Sequence, residues 1–153
     1  MIVIELPDEA STAALAAHIA ALARPGDVIA LKGELGAGKT SFARAFIRAR
    51  RGVEAVPSPT FTLVQVYELP GGPIWHIDLY RLRDAEEAWE LDIEDAFRDG
   101  VSLIEWPERL GPLVPACRLE ITLSAGPTPS ARRAAIDPPA EWAARLAALA
   151  AEI

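Results

Sequence analysis

Apolar positions come in short blocks punctuated by proline and glycine, and the blocks switch between two periods. Ile2 to Leu6 predicts a strand. Pro7-Asp8-Glu9 then opens a helix with Leu15, Ile19 and Leu22 on one stripe, ending near Pro25-Gly26. Val28-Ile29-Ala30-Leu31 is a continuous apolar run, as expected of a parallel strand covered on both faces. Helical spacing returns with Phe42, Ala45, Phe46 and Ala49, while Arg44, Arg48, Arg50 and Arg51 fill polar positions. Val56 to Thr60 is a stiff polar connector with two prolines. Phe61 to Leu69 and Ile74 to Leu79 predict two strands joined as a hairpin by Pro70-Gly71-Gly72-Pro73. Asp84 to Phe97 is acidic and helical, with a break around Asp92, and Val101 to Ile104 is another buried strand. Cys117 to Leu123 and Arg132 to Ile136 predict a second antiparallel hairpin, and Glu141 to Ala151 a closing helix.

Between the apolar run and the helix after it stands Gly33-Glu34-Leu35-Gly36-Ala37-Gly38-Lys39-Thr40, a complete G-x-x-x-x-G-K-[ST] phosphate-binding loop. Its glycines let the backbone wrap a triphosphate with successive N–H groups aimed at phosphate oxygens, and the following helix adds its dipole. Lys39 is expected to reach the β- and γ-phosphates and the Thr40 hydroxyl to ligate Mg²⁺, with residues Glu34, Leu35, Gly36, Ala37, Gly38 and Ser41 completing the nucleotide cradle. Strand, glycine loop and helix in this order predict an α/β fold: a single P-loop NTPase domain over residues 1–153, with a mostly parallel central sheet, antiparallel hairpin additions and flanking helices.

Composition narrows the reading. At 153 residues, 51% hydrophobic and 24% charged, the chain is expected to be an ordinary soluble globule in the cytoplasm, with no apolar stretch long enough to span a membrane and no signal peptide at Met1 to Glu5. One cysteine, Cys117, excludes an internal disulfide and is expected to be a small core residue. A net charge of −7 disfavours autonomous gripping of tRNA or DNA. The arginines at 44, 48, 50 and 51 read mainly as a solvated helix face, otherwise as a partner contact. Only two of the 15 basic residues are lysines, Lys32 and Lys39, so the loop keeps a compact ammonium in a chain that otherwise uses arginine.

Two carboxylates stand where strands end. Glu105 closes Val101-Ser102-Leu103-Ile104, the place where nucleotide hydrolases hold an acid beside Mg²⁺, as a direct ligand or through its water. Plain buried strands also end in glutamate. In His76-Ile77-Asp78-Leu79-Tyr80, alternation predicts His76, Asp78 and Tyr80 on one polar face, with Ile77 and Leu79 buried. Asp78 is then either an acid that orients water or joins the metal shell, or a surface residue capping the helix near Asp84. The hydroxyls of Ser58 and Thr60 either sense the γ-phosphate or make turn hydrogen bonds. His18 reads as a partly exposed helix residue. Neither Asn-Lys-x-Asp nor Asp-x-x-Gly occurs, so a guanine-specific switch protein is not expected.

Five segments in order carry a resemblance: Pro25 to Ile29, Gly33 to Thr40, Ser58-Pro59-Thr60-Phe61-Thr62-Leu63-Val64, His76-Ile77-Asp78-Leu79-Tyr80-Arg81-Leu82, and Leu103-Ile104-Glu105-Trp106-Pro107-Glu108. With them the chain resembles the TsaE (YjeE) family, the small ATPases of tRNA threonylcarbamoyladenosine modification. The loop is generic; the S-P-T, H-x-D-L-Y-R and E-W segments are specific. The resemblance implies ATP and Mg²⁺ as cofactors, weak hydrolysis alone, work with a TsaD–TsaB heterodimer that itself performs the transfer, and contact with tRNA only through that complex. It implies Thr40 and Glu105 as metal ligands, Asp78 and Lys39 as catalytic residues, and Ser58, Thr60 and Tyr80 as partner-responsive elements. It places Trp106 near the nucleotide, the Asp8 to Thr12 region at the adenine, and Arg132 at a phosphate or partner. Two departures stand out: Asp92 replaces a glycine often found in the acidic segment, and Ala131 replaces the glycine usual before Arg132. The rival readings are a small phosphotransferase and a nucleotide-gated scaffold.

Overall fold

A computed structural model describes residues 1–51, 64–82, 87 and 93–152. Seven strands form one sheet: β1 (Ile2–Leu6), β2 (Val28–Lys32), β3 (Val64–Tyr67), β4 (Ile74–Asp78), β5 (Val101–Glu105), β6 (Leu119–Ala125) and β7 (Arg132–Asp137), in the order β1-β7-β6-β2-β5-β4-β3. The central four, β6-β2-β5-β4, are parallel, while β1-β7, β7-β6 and β3-β4 are antiparallel. The parallel core with hairpin additions is the predicted architecture. The helices are α1 (Glu9–Leu22), α2 (Lys39–Arg51), α3 (Ile93–Asp99) and α4 (Ala140–Glu152), with a 3-10 segment Pro107–Leu113 broken at Gly111.

The sheet separates two apolar clusters. On one side Ile29, Leu31, Leu103 and Ile121 meet α1 and α2 through Ile19, Phe42 and Phe46, and α4 adds Trp142 and Leu146. On the other, Val28, Ile77 and Ile104 meet Ile93, Ala96 and Leu110. Neighbouring residues of β2, β4 and β5 thus point into opposite cores, as the two-residue period requires. Ala16, Ala20 and Ala43 are fully buried where α1 lies on α2, small enough to bring the two axes close.

The C-terminus of α1 is fastened by arginines from two other helices. Arg50 of α2 donates to Ala20 O (2.8 Å) and Ala23 O (3.0 Å), and Arg145 of α4 donates to Leu22 O (3.2 Å). Carbonyls of a last helical turn lack i+4 N–H partners (Ala20 O takes only the tighter bond from Ala23 N, 3.4 Å), and a cation also complements the negative end of the dipole. Arg145 is paired with Asp27 (2.6 Å), whose other bond comes from Arg24 N. Arg50 is therefore structural, not part of a solvated face. Two further expectations are corrected. Ala49 is exposed, because helix α2 turns that position away from the sheet. Cys117 is exposed, since β6 begins only at Leu119 and the residue sits in the loop before it.

Candidate nucleotide site

The glycine loop leaves the C-terminal end of β2 and runs into α2, at the edge of the sheet where open α/β folds bind ligands. Two glycines are sterically required. Gly33 has φ +145°, and a Cβ there would lie 2.5 Å from Leu123 O of β6. Gly38 has φ +102°, and its Cβ would meet the Arg132 guanidinium.

Lys39 is buried. Its ammonium donates to Gly33 O (2.5 Å) and Glu34 O (2.9 Å) and stands 3.9 Å from the centre of the Trp106 ring. The lysine thus rests on carbonyls of its own loop, under an aromatic face that attracts cations. Burial holds its pKa below the usual lysine range, against the pull of Glu105, Glu108 and Asp78. Trp106 has φ 60° and ψ 50°, the only non-glycine with positive φ among the described residues. A bulky residue in that region marks a backbone held under constraint. Its ring also meets Tyr80 at 5.1 Å.

Thr40 opens α2 and donates to Glu105 Oε1 at 2.7 Å. Glu105 is fully enclosed at the end of β5, and Asp78 is its register partner at the end of β4. Asp78 is half-buried and accepts from Tyr80 N (3.1 Å), a local turn that follows the strand. Burial pushes its carboxyl above the ordinary range; Tyr80 N–H, His76 and Lys39 oppose the shift and Glu105 adds to it. Lys39, Thr40, Glu105 and Asp78 therefore converge at one end of the parallel core. The expectation that His76, Asp78 and Tyr80 share one polar face of β4 holds only in part: His76 is fully buried with Nε2 2.6 Å from Glu105 Oε2, and Tyr80 lies beyond the strand. The period was right, but α2 covers that face.

The remaining candidates surround a cavity of about 390 Å³ beside the loop, walled by Thr12 and Ala13 of α1, Gly38, Ser41, Arg44 and Arg132. Its size suits a small organic ligand. Thr12 and Ser41 thus lie beside the loop. Asp8 does not line it; its carboxylate caps α1 by accepting from Ser11 N (2.8 Å) and Ser11 Oγ (2.7 Å), bonds that hold its pKa low. Arg132 donates to Ala37 O (3.0 Å) and Gly36 O (3.3 Å), bracing the loop. Ala131 is accommodated in place of glycine because it packs where Gly126 has no side chain. Leu35 is strongly exposed at the loop tip. Arg44, read from the sequence only as part of a solvated or partner-facing arginine face, instead walls this cavity, with its Nε buried and without a partner among the described residues. Its position one helical turn after Thr40, facing the loop, was the available signal. Ser58, Thr60 and Asp92 lie outside the described residues.

Residues 6–134 match the family model "Threonylcarbamoyl adenosine biosynthesis protein TsaE". Relatives called tRNA threonylcarbamoyladenosine biosynthesis protein TsaE include that of Rickettsia bellii, 40% identical over 77% of this chain and 83% of the relative. Those of Bacillus subtilis (40% identical, 76% and 72%) and Aquifex aeolicus (42% identical, 76% and 84%) are similar to the same degree. The crystal structure of Bacillus subtilis YdiB superposes with a TM-score of 0.77 at 27% identity, covering 99% of this chain and 94% of that one.

Proposed function

The chain belongs to the TsaE family of tRNA threonylcarbamoyladenosine biosynthesis, and from that premise we propose that it is a Mg²⁺-dependent ATPase, cleaving ATP to ADP and phosphate in support of this modification. The observation that carries the reading is the Thr40–Glu105 contact beneath a complete phosphate loop. A hydroxyl and a carboxylate oxygen at 2.7 Å supply the small oxygen set that Mg²⁺ takes from nucleotide-binding proteins, with phosphate and water as its other ligands. This donor set fits the ion even though no cluster of three or more His, Cys, Asp or Glu residues suited to a metal occurs among the described residues. Thr40 and Glu105 would hold it, and it would neutralise charge on the β- and γ-phosphates.

The chain's own groups account for the rest. Loop amides and Lys39 bind phosphate oxygens once the ammonium leaves Gly33 O and Glu34 O. Arg132 keeps the loop carbonyls turned away from the ligand. Thr12, Arg44 and Ser41 border the space for the rest of the nucleotide. Asp78, adjacent to Glu105 across the strand pair, orients or activates the attacking water. On the family resemblance, turnover by the chain alone is slow. A TsaD–TsaB heterodimer is the partner that accelerates it, performs the transfer and contacts tRNA, in the cytoplasm. No described helix is long and apolar enough to cross a membrane.

The test is phosphate release from ATP by the protein alone and with TsaD–TsaB, with and without Mg²⁺, using Lys39→Ala as control. Stimulation by the heterodimer, dependent on Mg²⁺ and reduced at least about 100-fold by Lys39→Ala, is expected from the loss of a charge-assisted phosphate contact. Turnover that appears only with a small hydroxyl acceptor would replace this reading with phosphotransfer.

A further inference from the structure

Glu105 is gripped at both oxygens: Oε1 accepts from Thr40 and Oε2 lies 2.6 Å from His76 Nε2. A carboxylate offers only acceptors, so the imidazole Nε2 carries the hydrogen and donates. The two side chains are 0% and 2% exposed, which removes competition from water. Parallel register pairs His76 with Leu103 and Asp78 with Glu105. His76 therefore lies one side-chain repeat behind Glu105 on the neighbouring strand, on the same face, and its ring spans the diagonal. The backbone of two adjacent core strands fixes this geometry, whereas Thr40 belongs to the loop-to-helix junction that nucleotide must reorganise.

We propose that His76 is the positioning residue of the metal-binding carboxylate: by holding Oε2, it turns Glu105 Oε1 toward Thr40 and the phosphate loop before and after Mg²⁺ arrives. The inference rests on the assignment of Thr40 and Glu105 as metal ligands made above. The Thr40 hydroxyl has one hydrogen and two lone pairs, so it can bind the ion and still donate to Glu105, but its position follows the loop-to-helix junction rather than the core strands. The bond from His76 is then the one that keeps the carboxylate from rotating away. Nδ1 of His76 has no partner among the described residues, so Glu105 is the only group that orients the ring by hydrogen bonding. Outer partners of this kind are worth about 10- to 100-fold in metal affinity.

Mn²⁺, followed by electron paramagnetic resonance, reports metal affinity for the protein–ADP complex without requiring turnover. His76→Leu should weaken Mn²⁺ about 10- to 100-fold, while ADP affinity in EDTA stays within about twofold because no phosphate contact is lost. His76→Gln places an N–H near the original Nε2 and should recover most of the loss. If Glu105→Gln weakens Mn²⁺ but His76→Leu does not, the metal assignment stands and the role of His76 is overturned. If Glu105→Gln leaves Mn²⁺ unchanged, both fail. Should His76→Leu not fold, the wild-type protein still decides the matter, because it has only two histidines. Titrating Mg²⁺ into the ADP complex should shift the Nε2 resonance of His76 with its proton retained, leaving His18 on α1 unmoved. An unshifted His76 signal would overturn the proposal.

Discussion

Asp78 shows how a candidate functional side chain is held at a cost. Its carboxyl titrates above the usual range chiefly because it is buried, so its charge at neutral pH opposes folding. With the folded pKa raised, the penalty is complete above that pKa and fades as pH falls through it toward the unfolded value of 3.8. Asp78→Asn should therefore raise stability at pH 7, by no more than about 1 kcal/mol because solvent screens a half-exposed charge, and the gain should shrink on acidification. Thermal unfolding of the Mg²⁺-free protein across pH checks this; a variant less stable at pH 7 contradicts it. At this scale the sequence announced the loop, Glu105 and Asp78, because each sits at a strand end that a local pattern can locate. It did not announce the burial of His76. An alternating polar residue looks the same whether water or a carboxylate 29 positions away satisfies it. Arg50 escaped for a similar reason, its acceptors lying on a different helix.

Among the elements, α1 is the one whose placement matters most to the site, since Thr12 and Ala13 wall the cavity. It is held at its N-terminus by Asp8 and at its C-terminus by Arg50 and Arg145. Arg145→Ala removes a carbonyl cap and leaves Asp27, 9% exposed, with a backbone N–H but no cation. The expected loss is roughly 3 kcal/mol, the order seen when one partner of a largely buried pair is deleted, measured by urea unfolding. A change below about 0.5 kcal/mol would mean that solvent replaces the guanidinium. Element boundaries followed hydrophobic period and capping closely for α1 and β2. They slipped at β6, predicted from Cys117 but starting at Leu119, because an apolar residue next to a proline-rich loop satisfies a strand pattern without pairing. Residues 52–63, where the polar connector and the start of the first hairpin were expected, lie outside the described part of the chain.

For the molecule as a whole, the α/β class was legible but the strand order was not, since periodicity says which face is buried and nothing of which strand lies beside it. Net charge is likewise a global property. At −7 the protein has little electrostatic attraction for a polyanion, and tRNA binding by the isolated chain should be weaker than about 1 µM at physiological salt. Fluorescence anisotropy at several salt concentrations measures this; submicromolar affinity with a steep salt slope would contradict it. The sheet order bears on biosynthesis as well. Among the described residues strand β1 pairs only with β7, and β7 and β6 stand between it and β2. During translation, at about 5–20 residues per second, the first strand emerges on the order of ten seconds before its sole partner. Its Ile4 and Leu6, buried once the strand is paired, must stay out of aggregates throughout that interval. The glycine loop's strand, by contrast, has its partner β5 complete 32 residues before β7 is complete. The glycine-loop end of the sheet can therefore take shape while the opening strand is still waiting for its place.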